Sequence, residues 1–119
     1  MSNPFVWFDH RSDSPSGASQ FYEELFGWKR ADQGPPGMTA FGEGERPWSG
    51  MVTAESLPAG WLPYAQVEDL EMSTAQAKKL GAKVLKDRTR GPAGDFVVVR
   101  DPSGGAIALW QAPSAGRNA

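Results

Sequence analysis

The chain repeats its own pattern, and that repeat limits its fold more than any other feature. Val6-Trp7-Phe8 is a short β-prone run leading into a helical segment that ends Phe26-Gly27-Trp28. About 55 residues later, Trp61-Leu62-Pro63 leads into a second helical segment ending Leu80-Gly81-Ala82. Further strands follow in each half: MTAF and WSGMVTA in the first, then VLKD, DFVVVRD and AIALWQ in the second. Neither half could bury a sheet face alone, so the two should pair into one structural domain. The expected modules are residues 1–56 and 57–112, joined by the linker LPAG, with 113–119 a small, polar, flexible tail.

Local signals agree with this division. Ser12, Asp13 or Ser14 can cap the first helix, whose first turn tolerates Pro15. Ala18, Phe21, Tyr22 and Leu25 recur at helical spacing, and Gly27 ends the run. Asp69 caps the second helix and Gly81 stops it. Phe21, Tyr22, Leu25 and Leu80 are expected to pack the helices on the outer sheet faces. Residues 31 to 37 read as a loop, and Glu43, Glu45 and Arg46 as a solvent-facing hairpin tip.

Composition excludes several function classes. At 119 residues without cysteine, the chain has room for a core but no disulfide, thiolate metal site or cysteine nucleophile. The net charge is −2, and the clustered basic residues, Lys78-Lys79 and the run from Lys83 to Arg90 with its Asp87 and no aromatics, read as a solvated helix face and turn. No nucleic-acid partner is expected. No stretch approaches the roughly 18 apolar residues of a membrane span, and MSNPFVWF lacks a signal-peptide pattern. A cytoplasmic protein without a membrane partner is the expectation. GPAGD lacks the strand-glycine-lysine context of a phosphate loop.

VWFDHRSDSPSGASQFYEELFGW in the first half and PYAQVEDLEMSTAQAKKLGAKVL…DFVVVRDPSGGAIALWQ in the second resemble the vicinal oxygen chelate family. That family includes glyoxalases, bleomycin-resistance proteins and extradiol dioxygenases. The resemblance rests on a helix ending FYxxxFGW-like and a late D-P-x-G hairpin, and it covers residues 5 to 111. It implies an α+β fold of two paired βαβββ modules, with curved sheets facing each other around a cleft and helices outside. Dimers are usual in such relatives, so a homodimer is expected; the modules could pair within one chain or between two.

The resemblance also implies where a metal would sit, on one residue from each of four strands. Carried over position by position, these fall on Trp7, Leu62, Ala108 and Gly50 or Met51, none of which offers a hard donor. We therefore expect no metal and no cofactor. The same parity that puts Trp7 toward the cleft selects Asp9, Leu62, Tyr64, Gln66, Ala108 and Trp110 as ligand-binding candidates. Asp9 reads either as a general base or ligand anchor, or as a strand-end acid paired with Arg11 or Arg100. Tyr64 and Gln66 would place sparse polar groups on an apolar wall.

His10, the only histidine, falls on the opposite parity and reads as structural or solvent-facing. Among the five tryptophans, Trp7, Trp48 and Trp110 lie on strands, where small neighbours such as Ala106 and Ala108 leave room for a flat ligand. Trp28 and Trp61 read as core residues. Arg88 and Arg90 are an exposed loop pair or an anion clamp. The expected function is metal-free binding of a small apolar or aromatic molecule. The rivals are a glyoxalase-like lyase or isomerase, or a dioxygenase-type enzyme, with a non-standard site, and an interaction module with a filled cleft.

Overall fold

The structure, a computed structural model, describes residues 4–31, 39–43, 46–91 and 93–113. Glu45, the side chain of Glu43, most of the 31–37 loop and the tail from residue 114 lie outside the described residues. The fold is α+β. The element order is β1 (Phe5–Ser12), α1 (Pro15–Phe26), β2 (Thr39–Glu43), β3 (Arg46–Thr53), β4 (Gly60–Gln66), α2 (Leu70–Lys79), β5 (Lys83–Arg90), β6 (Asp95–Arg100) and β7 (Ala106–Gln111). The chain divides into two compact units, Trp7–Leu62 and a second comprising Met1–Val6 with Pro63–Ala119.

In the Trp7–Leu62 unit the strands lie in the order β2-β3-β1, with β1 parallel to β3 and β2 antiparallel to it. Ser14 caps α1: its side chain accepts from the Gly17 N–H at 3.3 Å, and Pro15 opens the helix with its φ already set. Gly27 ends it at φ 71°, a left-handed conformation that glycine adopts without steric cost. Lys29 to Ala31 run against β2, since Ala31 N–H donates to Ala40 O and Gly42 N–H to Lys29 O.

The other unit orders its strands β4-β7-β6-β5, with β4 parallel to β7. The triplet β6-β7-β4 repeats β2-β3-β1 of the first unit, so the sequence repeat is a repeat of topology. Asp69 caps α2 by accepting from Met72 N–H at 3.0 Å, and the Leu70 N–H donates to Gln111 Oε1 at 2.7 Å, tying the helix start to the end of β7. On the α2 side, Leu70, Val97 and Val99 are buried and flanked by Val67, Ala82, Val84, Ile107 and Leu109. Each of the buried three contributes about 1.5–3 kcal/mol relative to exposure. The D-P-S-G turn is held by Asp101 Oδ1, which accepts from Ser103 N–H, Ser103 Oγ–H and Gly105 N–H.

Two expectations fail here. The run Lys83–Arg90 is a complete eight-residue strand, which contains the expected VLKD strand and extends it through the stretch read as a turn; its position at the outer edge of the four-stranded sheet accommodates the charges. Phe21, Leu25 and Leu80 do not pack onto sheet faces: they are 56%, 57% and 68% exposed. The fully buried residue of α1 is Ser19, whose hydroxyl bonds back to Pro15 O, so the face turned inward is the small one.

Candidate functional site

In the Trp7–Leu62 unit, alternation along β1 separates two environments. Trp7, Asp9 and Arg11 share one face. The Trp7 indole N–H donates to Asp9 Oδ1 at 2.7 Å, and the Arg11 guanidinium donates to Asp9 Oδ2 at 3.1 Å. Asp9 and Arg11 are buried, at 4% and 6% exposure, and Arg11 also reaches Thr53 O. Across the ladder Asp9 faces Gly50, and Gly50 faces Ala40, so small residues flank the carboxylate. Leu62 is buried at 3% exposure.

His10 occupies the other face. Its ring meets Trp61 edge-on at 4.9 Å and Tyr22 at 5.5 Å, while Trp61 Nε1–H donates to the Tyr22 hydroxyl at 3.1 Å. Tyr22 stacks on Trp28, which meets Trp48 edge-on. His10 Nδ1 is buried without a hydrogen-bond partner, and burial pushes the imidazole below its ordinary pKa. The histidine is thus part of the aromatic packing between β1 and α1. Trp28 and Trp48 are half-buried in that packing, and Trp61 remains partly exposed.

The second unit groups four of the candidates. Reading the registers across β4, β7, β6 and β5, one rung is Tyr64–Ala108–Val98–Lys86. The next is Gln66–Trp110–Phe96–Thr89. Both rungs lie on the sheet face opposite α2, because the odd-numbered residues of β6 and β7 make the α2 core. Tyr64, Ala108 and Val98 are buried, whereas Trp110 and Phe96 are half-buried and Gln66 is exposed. Tyr64 and Phe96 rings lie 5.4 Å apart, and Lys86 Nζ sits 5.7 Å from the Phe96 ring centroid. The face is therefore an apolar floor with an accessible aromatic row, an amide at one end and an ammonium beside it.

Phe96 and Lys86 went unselected in the sequence. The signal available was parity within DFVVVR and KVLKDRTR, but which strand lies beside which is not written in either stretch. Arg88 and Arg90 both turn to Asp95, at 2.9 and 4.0 Å, so the candidate anion clamp already holds a carboxylate.

The residues present do not fit the metal that such folds commonly hold. At the four corresponding positions stand an indole whose N–H is given to Asp9, two buried aliphatic side chains, Leu62 and Ala108, and Gly50 or the buried thioether Met51. Among the described residues no group of three or more His, Asp or Glu side chains could hold an ion. No described helix is long and apolar enough to cross a membrane.

Comparison with known proteins bears on the family and the fold. The chain is 31% identical over 116 residues to a putative glyoxylase, CFP32, of Mycobacterium tuberculosis (strain CDC 1551 / Oshkosh), and 27% identical over 126 residues to the anthracycline biosynthesis protein DauV of Streptomyces sp. (strain C5). Each alignment covers 89% of this chain, which spans only 44% and 46% of those relatives' lengths. The fold matches a glyoxalase/bleomycin resistance protein/dioxygenase superfamily member from Vibrio splendidus 12B01 with a TM-score of 0.62 at 12% identity, covering 89% of this chain and 96% of that one. It also matches methylmalonyl-CoA epimerase from Mycobacterium tuberculosis, TM-score 0.58 at 13% identity, covering 100% and 96%. A sequence model of the glyoxalase-like domain matches residues 6–110, and the chain belongs to that family, within the vicinal oxygen chelate superfamily.

Proposed function

We propose that this protein binds a small planar, apolar or aromatic molecule without a metal or cofactor, on the sheet face opposite α2. The observation that carries the reading is the rung Gln66–Trp110–Phe96–Thr89, in which two half-buried aromatic residues are cross-strand partners on one sheet face and an exposed amide residue follows on the next strand. Stacking on aromatic side chains suits flat ligands, and sparse polar groups fix orientation. Buried Tyr64 and Ala108 would flank that row on the neighbouring rung, and Leu62 is a further packed apolar residue. The relative named for anthracycline biosynthesis makes planar polycyclic aromatics the first class of probe. A fluorescence titration and thermal-shift screen with such compounds tests the reading. Saturable quenching of tryptophan emission that weakens at least tenfold in Trp110→Ala supports it. An absence of binders across the class overturns it.

A catalytic reading rests on Asp9. A buried carboxylate held on both oxygens by Trp7 and Arg11 is oriented well enough to act on a substrate, as a lyase, isomerase or dioxygenase-type enzyme would require. Loss of turnover in Asp9→Asn with ligand binding retained would favour it over simple binding. We further infer a homodimer in the cytoplasm, without nucleic-acid partners. The exposed Phe21, Leu25 and Phe26 on α1 supply apolar surface for self-association. Light scattering on the purified chain decides between dimer and monomer.

A further inference from the structure

The lysine beside the aromatic row narrows the class of ligand. Lys86 and Val98 are directly paired, so the lysine leaves its edge strand on the same face as Phe96 and Trp110, and its ammonium stands over the Phe96 ring. The other cations of this strand are accounted for differently. Arg88 and Arg90 are directed at Asp95, and Lys83 is exposed at the far end, opposite Arg100. Among the described residues Lys86 has no carboxylate partner, although it is half-buried. An ammonium carried on a half-buried lysine and set over a ring face is a cation with unused donors, adjacent to a surface suited to stacking.

We propose that Lys86 is an anion subsite, and that the ligand is a planar aromatic bearing a carboxylate or an ionised phenol at one edge. The rings of Trp110 and Phe96 take the flat body, and the Lys86 ammonium takes the negative group through a charge-assisted hydrogen bond. The Gln66 amide stands at the opposite end of the row from Thr89 and is available to a neutral polar substituent. This inference rests on the aromatic face being the ligand site.

The test compares 2-naphthoate with 2-naphthalenemethanol, probes that share the ring system and differ in charge, by titration calorimetry in low salt. For the wild-type protein naphthoate binds about tenfold more tightly, the worth of one charge-assisted hydrogen bond. Raising the ionic strength erodes the preference. Lys86→Gln removes it while leaving the alcohol's affinity unchanged, Lys86→Arg keeps most of it, and Arg88→Gln, whose native partner is Asp95, leaves it in place. Circular dichroism verifies that each variant is folded. Equal affinities for the two probes in the wild type overturn the anion subsite and leave the aromatic face standing. A preference for naphthoate that survives in Lys86→Gln also overturns the assignment. Binding of neither probe overturns the aromatic face and the subsite with it.

Discussion

The indole N–H of Trp7 and the guanidinium of Arg11 hold the two oxygens of Asp9 from either side, all three residues standing on one face of a single strand. Because the Asp9 and Arg11 side chains are each less than a tenth exposed, their pairing is a desolvated one. Removing one member strands the other. Asp9→Asn should therefore cost about 3–5 kcal/mol in urea unfolding, and Arg11→Met a similar amount. The double variant Asp9→Leu/Arg11→Met should recover most of the loss, because no charge is then left buried. A double-mutant cycle showing simple additivity would contradict the coupling.

His10 makes stability depend on pH in a defined direction. Burial lowers its pKa in the folded state, so between the ordinary histidine value and that lower one the unfolded chain takes up a proton that the folded chain does not. Stability from this source is present at neutral and higher pH and declines as pH falls through the ordinary value, levelling off below the folded one. The rings facing the imidazole are those of Tyr22 and Trp61. The melting temperature of the wild type should fall across mildly acidic pH, and that of His10→Phe should fall less. Parallel curves for the two proteins would contradict the assignment.

Asp101 is held below the ordinary aspartate pKa, first by the Ser103 hydroxyl and then by the Gly105 and Ser103 amides. A carboxylate with a lowered folded pKa stabilises above its unfolded value and loses that contribution as pH falls through the folded one. Asp101→Ala should lower the melting temperature at neutral pH, and the difference should shrink toward strongly acidic pH. Hydrogen exchange should increase at the amides of Ser103 and Gly105, which the aspartate side chain otherwise accepts from. Unchanged exchange there would contradict the role assigned to the turn.

Gly94 keeps Trp110 in its place. A Cβ at this position would lie 2.5 Å from Gln111 O and 2.6 Å from Trp110 Nε1, so both must give way or the Gly94 backbone must shift. Gly94→Ala should destabilise by about 1–3 kcal/mol, as overpacking does, and should red-shift tryptophan emission as the indole is pushed outward. Normal stability with an unchanged spectrum would show that the close approach relaxes freely.

Much of this architecture could be read from the residues, and the failures have physical reasons. Ser14, Pro15 and Gly27 mark α1, and Asp69 marks α2, because caps are local chemistry. The separation of His10 from Asp9 follows from two-residue alternation alone. Phe21, Leu25 and Leu80 mislead because helical spacing shows that apolar residues share a face, not that the face is covered. Lys83–Arg90 misleads because an edge strand tolerates charge that a central one would not. Tyr64, Gln66, Ala108 and Trp110 share a face as their parity requires. Phe96 and Lys86 join them only through strand neighbours and register, which are fixed by tertiary pairing.

The most direct measurement is an NMR titration of a planar aromatic probe into the protein in the presence of a metal chelator, following the side-chain signals of Trp110, Phe96 and Gln66. Saturable shifts concentrated on those residues are expected, with the imidazole of His10 unmoved. Shifts that appear only after a divalent metal is restored, or that fall elsewhere on the chain, would contradict the proposed binding.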